Sequence, residues 1–280
     1  MNDVESALVQ ALQLGEEGNW AEMAQLLGVA LRDSPDDPMV LCWLGVAERE
    51  LGRDGVAYEH FKQCWELEPI DPNILAMCGA GLAAFDDPDA EAALRAAALS
   101  GPDVPMARLH YGAYLARAGM FDQALEQLNA AAELDAEDPV IHGELGIAYA
   151  LKGDFKRAAT AMESALELAI DDSWTRVLLG LVHLQEGETE LAAEQLLQAA
   201  EERPEDAEAQ VLAALAAAAV GWADAAENTL ARAEFASEGA DSEMIEEARE
   251  QIEDGNDAAR EYLEQEIAPY AMRDRMTQPL

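Results

Sequence analysis

Residues 38–69, PMVLCWLGVAERELGRDGVAYEHFKQCWELEP, decide the fold. They read as two short helices around a tight turn. Leu41, Leu44, Gly45 and Glu48 mark the first helix, Gly52 sits in the turn, and Ala57, Phe61 and Cys64 line the second. Pro69 closes the segment. Small side chains at Gly45, Ala57 and Cys64 let the paired helices approach closely, and apolar residues fill the seam between them.

The pattern recurs in both directions. Seven units are expected, at residues 4–37, 38–71, 72–104, 105–138, 139–172, 173–206 and 207–240. One unit is a residue short, and the deletion falls in the turn FDDPD at 85–89, where it costs least. The eighth position of the first helix is Gly45, Gly79, Gly112, Gly146 and Gly180 in successive units. Gly18, Gly52, Gly119, Gly153, Gly187 and Gly221 occupy the turn, as a helix end in the left-handed conformation requires. Residues 241–267 depart from the pattern, with Arg260 where a small residue belongs, and are expected to form a degenerate polar capping hairpin. Residues 268–280 lose the repeat altogether and read as a C-terminal tail.

The unit resembles the tetratricopeptide repeat, a helical hairpin of about 34 residues. Leu-Gly in helix one, Ala and Phe in helix two and the closing Pro stand at the spacing of that family. The resemblance implies an all-α fold: an α-solenoid, wound as a right-handed superhelix of stacked hairpins. One hairpin cannot bury both of its faces, so neighbours must share a core.

Composition narrows the function. The chain of 280 residues carries 57 acidic against 17 basic side chains, a net charge of −40. Its lysines are Lys62, Lys152 and Lys156. Such a chain repels nucleic acid and anionic membranes. The acidity serves either solubility or the steering of a basic partner; the run 234–257, with ten carboxylates and one arginine, is the best local case for steering. The N-terminus has neither a basic nor an apolar signal region. The longest apolar run, VLAALAAAAV at 211–220, is too short to span a bilayer. Cys64 and Cys78 read as packed thiols and Cys42 as groove-facing, with no disulfide framework. These features predict a cytoplasmic protein.

No catalytic constellation is expected. His60, His110, His142 and His183 fall at different repeat positions, without metal-ligand spacing. There is no phosphate loop and no nucleophile elbow. The expectation is a non-enzymatic chain with no cofactor and no metal.

The family resemblance implies that the first helices line a concave groove through positions 2, 5, 9 and 12. Carried over, these give Met39, Cys42, Val46 and Arg49; Ala76; Met106, Leu109 and Ala113; Gly143 and Ile147; Trp174, Val177, Leu181 and Leu184; and Val211 and Leu215. His110 and Arg117 join Arg49 as rare polar handles. The strip is mostly apolar, the mark of an interaction surface, unless close winding of the repeats or another copy of the chain already covers it. The expected partner is another protein, offering an apolar or basic-apolar segment. Lysine is expected in none of the first helices, which speaks against the carboxylate clamp that reads chaperone C-termini. In the tail, Tyr270, Met272, Arg273, Arg275 and Met276 are locally basic and apolar. They read either as a frayed end or as a recognition segment that enters this groove or a neighbour's, the second making homo-oligomers. The leading functional reading is an adaptor or scaffold. The alternatives are a chaperone-like holder of an aggregation-prone client and a self-assembling structural protein.

Overall fold

The computed structural model describes residues 3–237 and 242–278. The boundary expected at 240/241 and the last two residues of the tail lie outside them. Among the described residues there are helices and turns but no strand. The contacts divide the chain into two compact units meeting at 135/136.

The first unit contains four helical hairpins. They are α1 (Asp3–Glu16) with α2 (Trp20–Asp33), α3 (Pro38–Glu50) with α4 (Asp54–Glu66), α5 (Pro72–Ala83) with α6 (Ala90–Ser100), and α7 (Pro105–Arg117) with α8 (Phe121–Leu134). The second unit contains α9 (Pro139–Lys152) with α10 (Phe155–Leu168), α11 (Ser173–Gln185) with α12 (Thr189–Glu202), and α13 (Ala207–Ala219) with α14 (Ala223–Ala236). Then come α15 (Ser242–Asp254), α16 (Asn256–Tyr262), a π-helical turn at Leu263–Ile267, and α17 (Ala268–Thr277).

Helix starts follow from an Asp-Pro signal. Asp37 accepts hydrogen bonds from the amides of Met39 (3.0 Å) and Val40 (3.2 Å), and Pro38 supplies the pre-set first turn. Asp71-Pro72 and Asp138-Pro139 repeat the device. Helix ends follow from the turn glycines. Gly153, at φ 84°, lets its amide reach the Ala150 carbonyl and the Asp154 amide reach that of Tyr149, each at 2.9 Å. In the shortened third hairpin Asp86 takes the left-handed place at φ 53°. The next residue, Asp87, is buried. It accepts from the Tyr58 hydroxyl (2.8 Å), the Lys62 ammonium (3.0 Å) and the Asp89 amide (2.8 Å). Burial alone would raise its pKa, but these donors hold it below the usual carboxylate range.

The seam glycines are needed for close approach. A Cβ on Gly146 would come within 2.6 Å of Met162 Cγ, and one on Gly112 or Gly180 within 2.7 Å of Leu128 or Leu196. Each large residue thus packs on the bare backbone of its facing helix. Helix α13 is buried around nearly its whole circumference, because α12, α14, α15 and α16 all pack on it. That accounts for the apolar run at 211–220. No helix among the described residues is long and apolar enough to cross a membrane.

Two expectations change. Lys152 is the last residue of α9, so a first helix does contain a lysine, placed where its charge favours the helix C-terminus. Arg260 does more than mark a degenerate repeat: its guanidinium donates to the Ala219 carbonyl at 2.9 Å, satisfying a carbonyl of the last turn of α13.

Candidate partner-binding site

In the second unit, α9, α11 and α13 carry the expected groove positions. Across them lies α17. Met276 is 2% exposed and shares a cluster with Ile147, Leu178, Leu179 and Val182. Met272 packs against that cluster and against the neighbouring one built from α11 to α16. Ala268 and Ala271 are buried in the latter. Arg275 is buried and donates to the Glu208 carboxylate at the start of α13. Tyr270 and Arg273 point outward and are exposed. The tail is therefore helical through Thr277 and seated on the first-helix face of its own unit.

This changes the reading of the strip. Ile147, Val177, Leu181, Leu184, Val211 and Leu215 were expected on an open groove, yet all are buried, at 5% exposure or less. They pack among adjoining helices and under the C-terminal segment. Gly143 and Trp174 keep partial exposure.

The first unit has its own first-helix face. Cys42, Ala76, Leu109 and Ala113 are buried in the seams between hairpins, not open to a ligand. Met39 and Val46 are half-buried, Arg49, His110 and Arg117 partly so, and Met106 is exposed. Arg49 on α3 and Arg117 on α7 both bear on His110. Burial first, then these two positive charges, push its pKa down to about 4, so it is neutral at pH 7. Its Nδ1 is buried with no hydrogen-bond partner. Arg117 also donates to the Ala113 carbonyl at 3.2 Å, and Arg49 pairs with Glu50 at 3.6 Å.

Cys42 is the clearest correction. It does not face the groove; its Sγ lies 3.2 Å from that of Cys64, and Cys78 completes a buried group. The signal was in the repeat. The fifth position of one hairpin, its facing small-residue position on the second helix, and the seventh position of the next hairpin meet at one seam. Glu208 was visible at position 2 of its unit, and the i, i+4 pair Met272 and Met276 marked a helical face on the tail.

These features define a class: an all-α repeat protein that stacks helical hairpins and presents rows of first helices. The chain carries tetratricopeptide repeats. The family model described as "Tetratricopeptide repeat" matches residues 88–139 and 114–173, and the same hairpin recurs on either side of them. Among solved structures, the Cut9-Hcn1 hetero-tetramer of the APC/C is similar at TM-score 0.70 and 18% identity, over 88% of this chain and 49% of that one. The chain thus spans about half the length of that relative. PilW, a type IV pilus biogenesis factor, is similar at TM-score 0.62 and 19% identity, over 73% and 95%. IFIT1 with the capped RNA m7Gppp-AAAA is similar at TM-score 0.59 and 14% identity, over 84% and 72%. At these identities the likeness is one of fold. No curated protein matches the sequence.

Proposed function

We propose that this chain is a protein–protein adaptor whose second unit docks a basic-apolar helix of a partner protein on the faces of α9, α11 and α13. Repeat solenoids of this kind use such faces for extended binding. The observation that carries the reading is the seat of α17. A helix with two methionines one turn apart and an arginine between them fits there, with Glu208 as the charged anchor. A partner helix of the same chemistry would compete for that seat, so α17 acts as an internal occupant that sets a threshold for binding. The net charge of −40 favours a basic partner and slows the approach of acidic ones. The expected role is binding without catalysis, without nucleic acid and without membrane insertion.

The test uses a labelled peptide of residues 263–280 and two proteins: the intact chain and a chain ending at Ala271, which keeps the alanines packed in the core. The shortened chain, its helicity verified by circular dichroism, should bind the peptide with one-to-one stoichiometry, and the intact chain should bind it far more weakly. An Arg275→Glu, Met276→Asp peptide should not bind. Equal binding to both proteins, or none to either, would contradict the reading. On the self-assembly alternative, α17 of one copy would occupy the same seat on another. A mass that rises with concentration for the intact chain and not for the shortened one would favour it.

A further inference from the structure

We infer that Cys42, Cys64 and Cys78 form a site for one divalent thiophilic ion of the zinc class, held by three thiolates between α3, α4 and α5. Every cysteine of this chain lies in that group. Their sulfurs sit within 4.8 Å of one another and all three residues are buried. Two hairpins supply them, so the convergence is tertiary and not a local run.

The repeats themselves show that packing does not require sulfur. At the place of Cys64 the other units have Ala30, Ala97, Ala131, Ala165, Ala199 and Ala233, all of them buried. At the place of Cys78 the flanking units have Leu44 and Tyr111, and at that of Cys42 they have Leu8 and Ala76. One seam out of the series replaces apolar residues with three soft ligands.

The spacing suits a metal better than a disulfide. Three thiolates about 2.3 Å from a central ion stand about 4 Å apart, so the 3.2 Å pair must open by roughly 0.8 Å. A Cys42–Cys64 disulfide would instead have to close to about 2.05 Å, consume an oxidant and leave Cys78 idle. Loading balances as three thiols plus one divalent ion giving one trithiolate complex of charge −1 and three protons. A monovalent ion would leave −2 in a buried seam, which is the less favourable charge. Thiolate donors select zinc-class and other soft ions over magnesium or calcium. Without metal, carbonyls of Ile74 (3.7 Å) and Phe61 (3.2 Å) accept from Cys42 and Cys78, so the seam remains folded. The ion would act as a staple that fixes the angle between the second and third hairpins.

The intact chain, refolded under reducing conditions with Cd²⁺ as a spectroscopic stand-in for Zn²⁺, tests this. Refolding in the presence of the ion removes any barrier to entry. A thiolate-to-cadmium ultraviolet band should saturate at one ion per chain, with about three protons released. Its thermal midpoint should rise with added ion. The Cys42→Ala, Cys64→Ala, Cys78→Leu variant should fold, since Ala76, Ala97 and Leu44 fill the equivalent places in neighbouring units, and should lose the band. Absence of the band in the native chain, or its persistence in the variant, overturns the site. So does a count of one free thiol without reductant, or retention of Cu(I) with rejection of Cd²⁺.

Discussion

Arg275 on the final helix donates to Glu208, the second residue of α13. The setting favours the carboxylate and makes the guanidinium depend on it. The carboxylate lies in the first turn, where the helix dipole favours it, and the guanidinium is buried. Glu208→Gln should therefore weaken the seat of α17 by about 1.5–3 kcal/mol, the range for hydrogen bonds to charged groups. Faster amide exchange at residues 268–277, confined to that helix, is the expected readout. The effect should shrink in high salt.

Met276 tests the apolar half of the same contact. Met276→Ala should speed exchange of α17 by an amount equivalent to about 2–4 kcal/mol, with no salt dependence. Tyr270→Ala, on the 67% exposed side of the helix, should change it by less than about 0.5 kcal/mol. Equal effects at the two positions would mean that α17 is not seated by this face.

The glycine seams predict a contrasting pair. Gly146→Ala drives a Cβ into Met162 and should cost about 1–3 kcal/mol by overpacking. Gly28→Ala meets nothing within 4 Å in the middle of α2 and should stabilise by about 0.5–1 kcal/mol. Thermal unfolding of the two variants beside the native chain checks both signs.

His110 gives the first unit a pH dependence. Its pKa is about 4 folded and 6.5 in the reference state. The unfolded chain thus binds the proton first, so stability is full above pH 6.5 and is lost as pH falls from 6.5 towards 4. Arg49 and Arg117, on the elements that face it, keep their charge throughout this window. His110→Gln should flatten the fall in unfolding temperature between pH 7 and pH 5. An unchanged slope would show that the ring is hydrated when folded.

Much of the fold was legible because its period is fixed. Gly112 and Leu128, Gly146 and Met162, and Gly180 and Leu196 each lie at the same offset, and that offset is a contact. The hairpin places Phe61, Ala57 and the Asp-Pro starts by the same logic. The site was less legible. Periodicity names the face of a helix but not what covers it, so Leu181 and Val211 read as open when α17 and neighbouring helices enclose them. The tail has no repeat to compare with. Only the spacing of Met272, Arg275 and Met276 hinted at a docked helix. The cysteines were missed because each was weighed alone, whereas Cys42, Cys64 and Cys78 meet only once two hairpins are stacked.

The most direct measurement is an exchange footprint. The chain ending at Ala271 is compared with and without the peptide of residues 263–280, amide by amide. The account predicts that the peptide restores protection on α9, α11 and α13, around Ile147, Leu181 and Glu208, and leaves α10, α12 and α14 unchanged. Protection on the second helices, or none at all, would contradict the claim that the first-helix face of this unit is a helix-docking surface.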